Sequence, residues 1–407
     1  MDAEFRRQIY SLHSELGFMA MGKTGGNPPV SAVLHDVHGK ILATGNTQGF
    51  GKDHAERFLY RNYFQNNEFP THLSVSLEPC THFGNTPPCK DLVLANHPVT
   101  LKIGWKDPNP LVESGNWEDY KLNGTTVSLD PLLAKFSLPF LQGFLKRIQK
   151  GKPWVVIKSA TSEEGHYASL SGKQVSISAK ESNLYLQMLR AKMDAIAVGP
   201  NTVKIDSPSL HFRLEEDSLS RAGDSKKVLD PTPFFHAGTD LLDTLLQLAK
   251  SKANDHIENH IQYQPFRIFF IHPNLWPDEI FFEKQNDLNK QFGKKLVLFF
   301  ILDKGLDENQ MSKLKSLSEF EPWEIGKDGG VIFLKTLAKL GINSLLCEAG
   351  DFFPKFLDGV MDEEDVVLEI RSKVSIPEGK LFYYHNHKMI SEFLVGDDRF
   401  ILRHWRS

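Results

Sequence analysis

The sequence predicts an α/β protein of two layered domains. Three observations carry that expectation. At 407 residues the chain is long enough for two domains and an insertion. Short apolar runs alternate with stretches of helical periodicity, as α/β layering requires. A polar connector, Gln149-Lys150-Gly151-Lys152-Pro153, interrupts that alternation and marks the boundary between the domains, 1–148 and 153–407.

Composition narrows the function classes. Hydrophobic residues make up 41% of the chain and charged residues 24%, ordinary values for a globular protein in water. A net charge of −4 advertises no basic surface for nucleic acid. Three cysteines are too few for a disulfide-stapled scaffold. No apolar run approaches the ~20 residues of a membrane span. Met1-Asp2-Ala3-Glu4-Phe5-Arg6 lacks the apolar core of a signal peptide. The expected compartment is the cytoplasm, where reduced thiols can serve as metal ligands.

In chain order, Phe5, Ile9, Leu12 and Leu16 fall on one face of a helix over 5–17. Gly25-Gly26-Asn27-Pro28-Pro29 breaks it. Val30–Leu34 reads as a strand, and Asp36-Val37-His38-Gly39 as a hairpin turn before Lys40–Ala43. His54 opens a helix running to about Gln65. Leu73–Leu77 alternates as a strand, Lys90–Asn96 is a short helix and Thr100–Trp105 another strand. The first domain ends near Lys146. The second begins with a strand at Trp154–Ile157, a helix at Asn183–Lys192 and a buried strand at Ala195–Val198. Residues 214–264 are charged, with a helical piece around Leu241–Lys250, and read as an insertion. Strands resume at Arg267–Ile271, Lys295–Leu302 and Ile342–Cys347. The last runs into Glu348-Ala349-Gly350, the kind of strand end where ligands bind in α/β sheets.

The reactive groups concentrate between residues 53 and 89. His54, Cys80 and Cys89 are three ligands for a catalytic Zn²⁺, which leaves a fourth position for water. Glu56, two residues from the histidine, is the expected proton shuttle between that water and a leaving amine. The cysteines are expected at helix starts, which favour thiolates. Alone, His-Ala-Glu reads as a helix start with surface charge, and Pro-Cys is equally weak. Together they approach the zinc-deaminase signature H-x-E with P-C-x-x-C, except that eight residues separate the cysteines here. A structural zinc site would offer four protein ligands, and the candidate fourth, His82, lies inside that loop.

The run Glu78-Pro79-Cys80-Thr81-His82-Phe83-Gly84-Asn85-Thr86-Pro87-Pro88-Cys89 closely resembles the riboflavin-pathway bifunctional pyrimidine deaminase/reductase family. So do Asn27-Pro28-Pro29-Val30, Asp107-Pro108-Asn109-Pro110, and the stretch Gln142–Arg147. In the second domain the matching pieces are Lys158–Ser162 with Gly165, Ser171-Gly172, Arg190-Ala191 with Asp194-Ala195-Ile196, Val198–Arg213, Glu348-Ala349-Gly350 and Gly359–Glu363. The resemblance implies a cytidine-deaminase-like three-layer domain followed by a dihydrofolate-reductase-like domain. It implies hydrolytic removal of the 2-amino group of a diaminopyrimidinone ribosyl-phosphate, then reduction of the ribosyl to a ribityl group by NADPH. Asn27 would meet the deaminase substrate. Lys158, Arg190, Leu210, Arg213 and Glu348 would face the reductase substrate, with the two arginines holding its phosphate. Ala160, Ser176, Thr202, Asp206 and the loop from Gly350 would face NADPH. A homo-oligomer, dimer or larger, is also implied.

The sequence departs from the family pattern at several positions. Val30-Ser31 replaces Val-Gly, Asn46-Thr47 an aromatic-His pair, His166 a basic residue, Ser176 a tryptophan, and Asp206-Ser207-Pro208 reads for Asp-Asp-Pro. The deaminase chemistry is intact while the reductase has lost contacts. An active deaminase with a degenerate, non-reducing docking domain is therefore the alternative. A nucleic-acid-editing deaminase is disfavoured by the acidic balance and the wide cysteine gap.

Overall fold

The computed structural model describes residues 3–63, 70–84, 86–170, 177–213, 263–326, 328–348, 350–382 and 387–405. They fall into two compact units that divide between Lys150 and Gly151. Most of the expected insertion, 214–262, lies outside the described residues, as do its helical piece, Ser171-Gly172 and Ser176.

The first unit runs α1 (Ala3–Ala20), β1 (Ser31–Asp36), β2 (Ile41–Asn46), α2 (Ala55–Asn62), β3 (Thr71–Leu77), α3 (Cys89–Ala95), β4 (Thr100–Trp105), α4 (Glu118–Leu122), β5 (Thr126–Leu129) and α5 (Pro131–Lys150). Its sheet has the order β2-β1-β3-β4-β5. The β1–β2 hairpin and the β1–β3 pair are antiparallel, whereas β3, β4 and β5 are parallel. Helices α1 and α5 pack on each other and on the sheet, while α2 packs on β1 and β2 and carries α3, giving three layers. Strand β3 therefore sits mid-sheet. Its last five residues are all buried rather than alternating, because helices cover both of its faces.

Three sequence expectations need correction here. Helix α2 ends at Asn62, not near Gln65, with Tyr63 extended as its C-cap. Helix α5 continues through Lys150, so Gln149 and Lys150 are helical and the connector shrinks to Gly151-Lys152-Pro153. The reason is local: Arg147 and Lys150 complement the helix C-terminus, and Gly151, at φ +66°, supplies the left-handed stop. Cys80 starts no helix. It lies in the extended segment after β3, and only Cys89 opens one.

A buried polar cluster ties α1 to the sheet. His13 Nδ1 lies 2.8 Å from Ser31 Oγ and its Nε2 2.8 Å from Ser74 Oγ. Ser74 Oγ donates onward to the Val33 carbonyl, so it accepts from Nε2–H, and Nδ1 accepts from Ser31. Burial, not these bonds, keeps the imidazole neutral and lowers its pKa to about 3.

The second unit is built on β6 (Trp154–Thr161), β7 (His166–Ser169), α6 (Lys180–Lys192), β8 (Ala195–Val198), α7 (Pro200–Asp206), β9 (Phe266–Ile271), α8 (Glu279–Phe292), β10 (Val297–Ile301), α9 (Glu308–Leu317), β11 (Trp323–Glu324), α10 (Gly330–Lys339), β12 (Ser344–Glu348), α11 (Phe352–Phe356), β13 (Val366–Arg371), β14 (Gly379–Leu381), β15 (Met389–Val395) and β16 (Asp398–His404). Nine strands form one sheet in the order β11-β10-β9-β8-β12-β6-β13-β16-β15. It is parallel from β11 to β13, and β16 and β15 add antiparallel strands at one edge. Strands β8, β9 and β10 are almost wholly apolar, as buried parallel strands are. Phenylalanines fill one side: Phe270 meets the rings of Phe300, Phe333 and Phe353 at 5.6, 5.0 and 5.4 Å between centroids.

Candidate active sites

In the first unit the sheet and α2 bring His54, Cys80 and Cys89 together. His54 is the extended N-cap of α2, so its ring projects from the helix mouth. Cys80 follows β3 by three residues, and Cys89 is the first residue of α3. His54 Nδ1 lies 3.6 Å from Cys80 Sγ and 3.5 Å from Cys89 Sγ. All three donor atoms fall within 4.8 Å of one another. Tetrahedral zinc, with its usual Zn–S and Zn–N bonds, separates such donors by about 3.6 Å. The donor set and spacing therefore fit that ion. His82 is not in the cluster, so three protein donors leave one tetrahedral position for a non-protein ligand.

The site's electrostatics favour one anionic sulfur, on Cys80, while the hydrogen bond to Cys80 and burial push the Cys89 thiol up. The Cys80 pKa is lowered to about 4 by hydrogen bonds from the Cys89 thiol, from His54 and from the Cys89 N–H. Glu56, in the first turn of α2, is 3% exposed. Burial, reinforced by the charge on Cys80, raises its pKa to about 7. A carboxyl in that range can both take and return a proton near neutral pH.

Packing fixes the turn that bears these groups. A Cβ on Gly45 of β2 would stand 2.2 Å from the Ala55 carbonyl oxygen and 2.8 Å from the Leu59 backbone. Only a residue without a side chain admits α2 at that distance. Asn27 lies in the loop between α1 and β1. Its carbonyl accepts from Thr24 Oγ1 at 2.8 Å, and the neighbouring Gly26 carbonyl accepts from Arg147 at 2.6 Å. Thr47 bridges the Pro28 carbonyl and the Val30 amide, tying this loop to the segment that leads to His54.

Sequence reasoning did not single out Glu78. This buried carboxylate gathers the loop after β4. It accepts from Ser114 Oγ at 2.5 Å, Gly115 N at 2.8 Å and Trp117 Nε1 at 2.6 Å, with the Asp107 amide at 3.3 Å. Asp107, beside it, is itself raised to about 6 by burial. The available signal was an acid at the end of a buried strand, two residues before a ligand.

The second unit holds a cavity of about 540 Å³ over the carboxyl ends of β8, β12 and β6. Register explains it. Glu348, the last residue of β12, is level with Lys158 on one side and Val198 on the other. Lys158, Ala160, Arg190, Thr202, Asp206, Leu210, Arg213, Glu348 and Gly350 all line the cavity, together with Tyr167 and Ser178, which the sequence did not suggest. Gly350 passes so close to Tyr167 that a Cβ would lie 2.4 Å from the ring. His166 sits apart from these lining residues; its Nδ1 bonds the Ile376 carbonyl at 2.6 Å.

Arg190 lines the cavity as expected and is also paired within the wall. Its Nε and Nη2 donate to the two oxygens of Glu348 at 2.6 and 2.8 Å, so the guanidinium fork is already engaged. Although burial opposes it, Arg190 holds Glu348 down at about pKa 2, with help from Lys158 and Arg213. Burial lowers the Lys158 pKa in turn. Arg213 is exposed and bonds Ser209 Oγ at 3.2 Å. The helix after Gly350, Phe352–Phe356, is five residues long.

Comparison with known proteins follows both units. A family model described as "RibD C-terminal domain" matches residues 153–263. The riboflavin biosynthesis protein RibD of Mycobacterium tuberculosis (strain H37Rv) is 34% identical over 213 residues, 52% of this chain and 62% of that protein. The match thus spans less than two thirds of that relative's length. RibD of Buchnera aphidicola subsp. Baizongia pistaciae is 26% identical over 375 residues, 91% of this chain and 88% of that protein. A solved deaminase/5-amino-6-(5-phosphoribosylamino)uracil reductase from Thermotoga maritima superposes with a TM-score of 0.72 at 22% identity, covering 98% of this chain and 99% of that one. Acinetobacter baumannii RibD gives 0.69 at 20% identity, with 98% and 99% covered. At these identities the two structures speak to the fold: a cytidine-deaminase-like three-layer unit followed by a dihydrofolate-reductase-like unit. Among the described residues no helix is long and apolar enough to cross a membrane.

Proposed function

We propose, from the chain's kinship with the RibD riboflavin-biosynthesis proteins, that it is a bifunctional enzyme. Residues 1–148 deaminate 2,5-diamino-6-(5-phosphoribosylamino)pyrimidin-4-one, and residues 153–407 reduce the ribosyl group of the product to ribityl. The carrying observation is the three-donor cluster of His54, Cys80 and Cys89 beside a buried Glu56.

A zinc ion held by those donors would supply a nucleophilic water at neutral pH. Glu56, buried beside those donors, is the group placed to take a proton from the attacking water and to return it to the departing ammonia. The Asn27 side chain, in the loop fastened by Thr24 and Thr47, is the candidate contact to the pyrimidine. Product analysis with the ribosylaminopyrimidine phosphate, with and without NADPH, tests both halves. An unreacted 2-amino group in the zinc-loaded protein would overturn the deaminase reading.

NADPH would supply a hydride to the opened ribosyl carbon. Lys158, Arg190 and Arg213 against Glu348 and Asp206 leave the cavity lining one formal positive charge in excess, which supports binding of a phosphate-bearing substrate. With Arg190 engaged by Glu348, Lys158 and Arg213 are the cations open to that phosphate. Thr202, Asp206, Ala160 and Gly350 line the same space and are the proposed cofactor contacts; Ser176 completes the set implied by the family. Deaminated intermediate that persists with NADPH present would leave a deaminase carrying a docking domain. A cytoplasmic homo-oligomer belongs to the same reading and is checked by light scattering on the purified chain.

A further inference from the structure

The cavity wall between Asp206 and Arg213 is unusual backbone. Ser207 and Leu210 are both left-handed, at φ +42° and +53°, although neither is glycine. Non-glycine residues keep such backbone only where their surroundings hold it. Pro208, Ser209 and Leu210 line the cavity, so what holds this loop also shapes the site.

Helix α8 holds it at two successive carbonyls. Lys284 Nζ donates to the Ser207 carbonyl at 2.6 Å, and Gln285 Nε2 donates to the Pro208 carbonyl at 2.8 Å. Gln285 is fully buried, and its amide could in principle face either way. Arg267, on β9, removes the choice. Its guanidinium is 1% exposed and donates to Gln285 Oε1 at 2.8 Å and to Asn289 Oδ1 at 2.6 Å. Arginine has donors only, so a reversed amide would set N–H against N–H. The Gln285 N–H groups must therefore point at Pro208. Asn289 is oriented in the same way and donates to the Leu317 carbonyl at 2.9 Å. Among the described residues no carboxylate forms an ion pair with Arg267. A buried cation held by two neutral amides and, at 3.4 Å from Nε, the Leu296 carbonyl makes a poor device for stability alone.

We propose that Arg267 is a positioning residue for the reductase cavity, acting through Gln285 to fix the Ser207–Leu210 wall against which cofactor or substrate binds. This rests on the reductase reading above.

The test uses the zinc-loaded full chain as wild type, Gln285→Glu and Arg267→Met. Glutamate at 285 pairs with Arg267 but has no N–H for Pro208. A purely structural role predicts that this variant is unharmed. Positioning predicts an unchanged melting temperature and deamination rate, a KM for NADPH or the pyrimidine raised about 10-fold or more, and faster amide exchange over 209–213. Arg267→Met should show the same exchange defect. Gln285→Glu with wild-type KM values and wild-type exchange would overturn the proposal. If the wild type itself neither binds nor oxidises NADPH, the reductase reading fails, and the exchange comparison still decides whether Arg267 and Gln285 hold the wall.

Discussion

At the scale of single residues, environment separates the carboxylates by task. Glu56 is buried among sulfur ligands and rises to about 7, whereas Glu348 is gripped by Arg190 and falls to about 2. Glu56→Gln should bind the same amount of zinc but deaminate about 10²–10⁴-fold more slowly, as metal analysis and ammonia release will show. Glu348 titrates below its unfolded value. Its pairing therefore stabilises the fold above the ordinary carboxylate range and is lost as pH falls toward 2. Arg190→Met strands that charge in the cavity wall and should cost roughly 3–5 kcal/mol in chemical denaturation. The gathering of His54, Cys80 and Cys89 was legible in the sequence because the three lie within one short stretch. The pairing of Arg190 with Glu348 was not, because it joins residues on a helix and a strand far apart in the chain. The same distance hid Glu78, whose partners lie 29 to 39 residues downstream.

At the scale of elements, helix α1 is docked by a histidine that must stay neutral. His13 has a folded pKa near 3 and an unfolded one near 6.5, so the unfolded chain gains a proton that the folded chain refuses. Stability should fall as pH drops below 6.5, by about 2 kcal/mol between pH 6.5 and pH 5 from this group. His13→Gln should flatten that dependence in urea titrations at the two pH values. Elements with strong apolar runs, such as β4, β8 and β9, could be read directly from periodicity. Strands β15 and β16 could not. They alternate weakly and are specified mainly by pairing, β16 with β13 and β15 with β16, a tertiary fact. Helix α2 was overextended because amphipathic spacing alone does not mark where a helix stops.

At the scale of the whole molecule, two compact units carry two candidate sites, each with its own core. A strong chelator should lower one calorimetric transition and leave the other in place, since the three metal donors all belong to the first unit. A single transition that shifts as a whole would show that the units melt as one. The contact between Gly45 and Ala55 bears on how such a protein can vary through descent. The position nine residues ahead of the metal-site histidine tolerates no side chain, though it touches no ligand. A library selected for loss of the proposed deamination would recover Gly45 alongside His54, Glu56, Cys80 and Cys89. Such a lesion would keep its reactive groups and lose only their alignment, so an inventory of motifs would pass an inactive gene as sound.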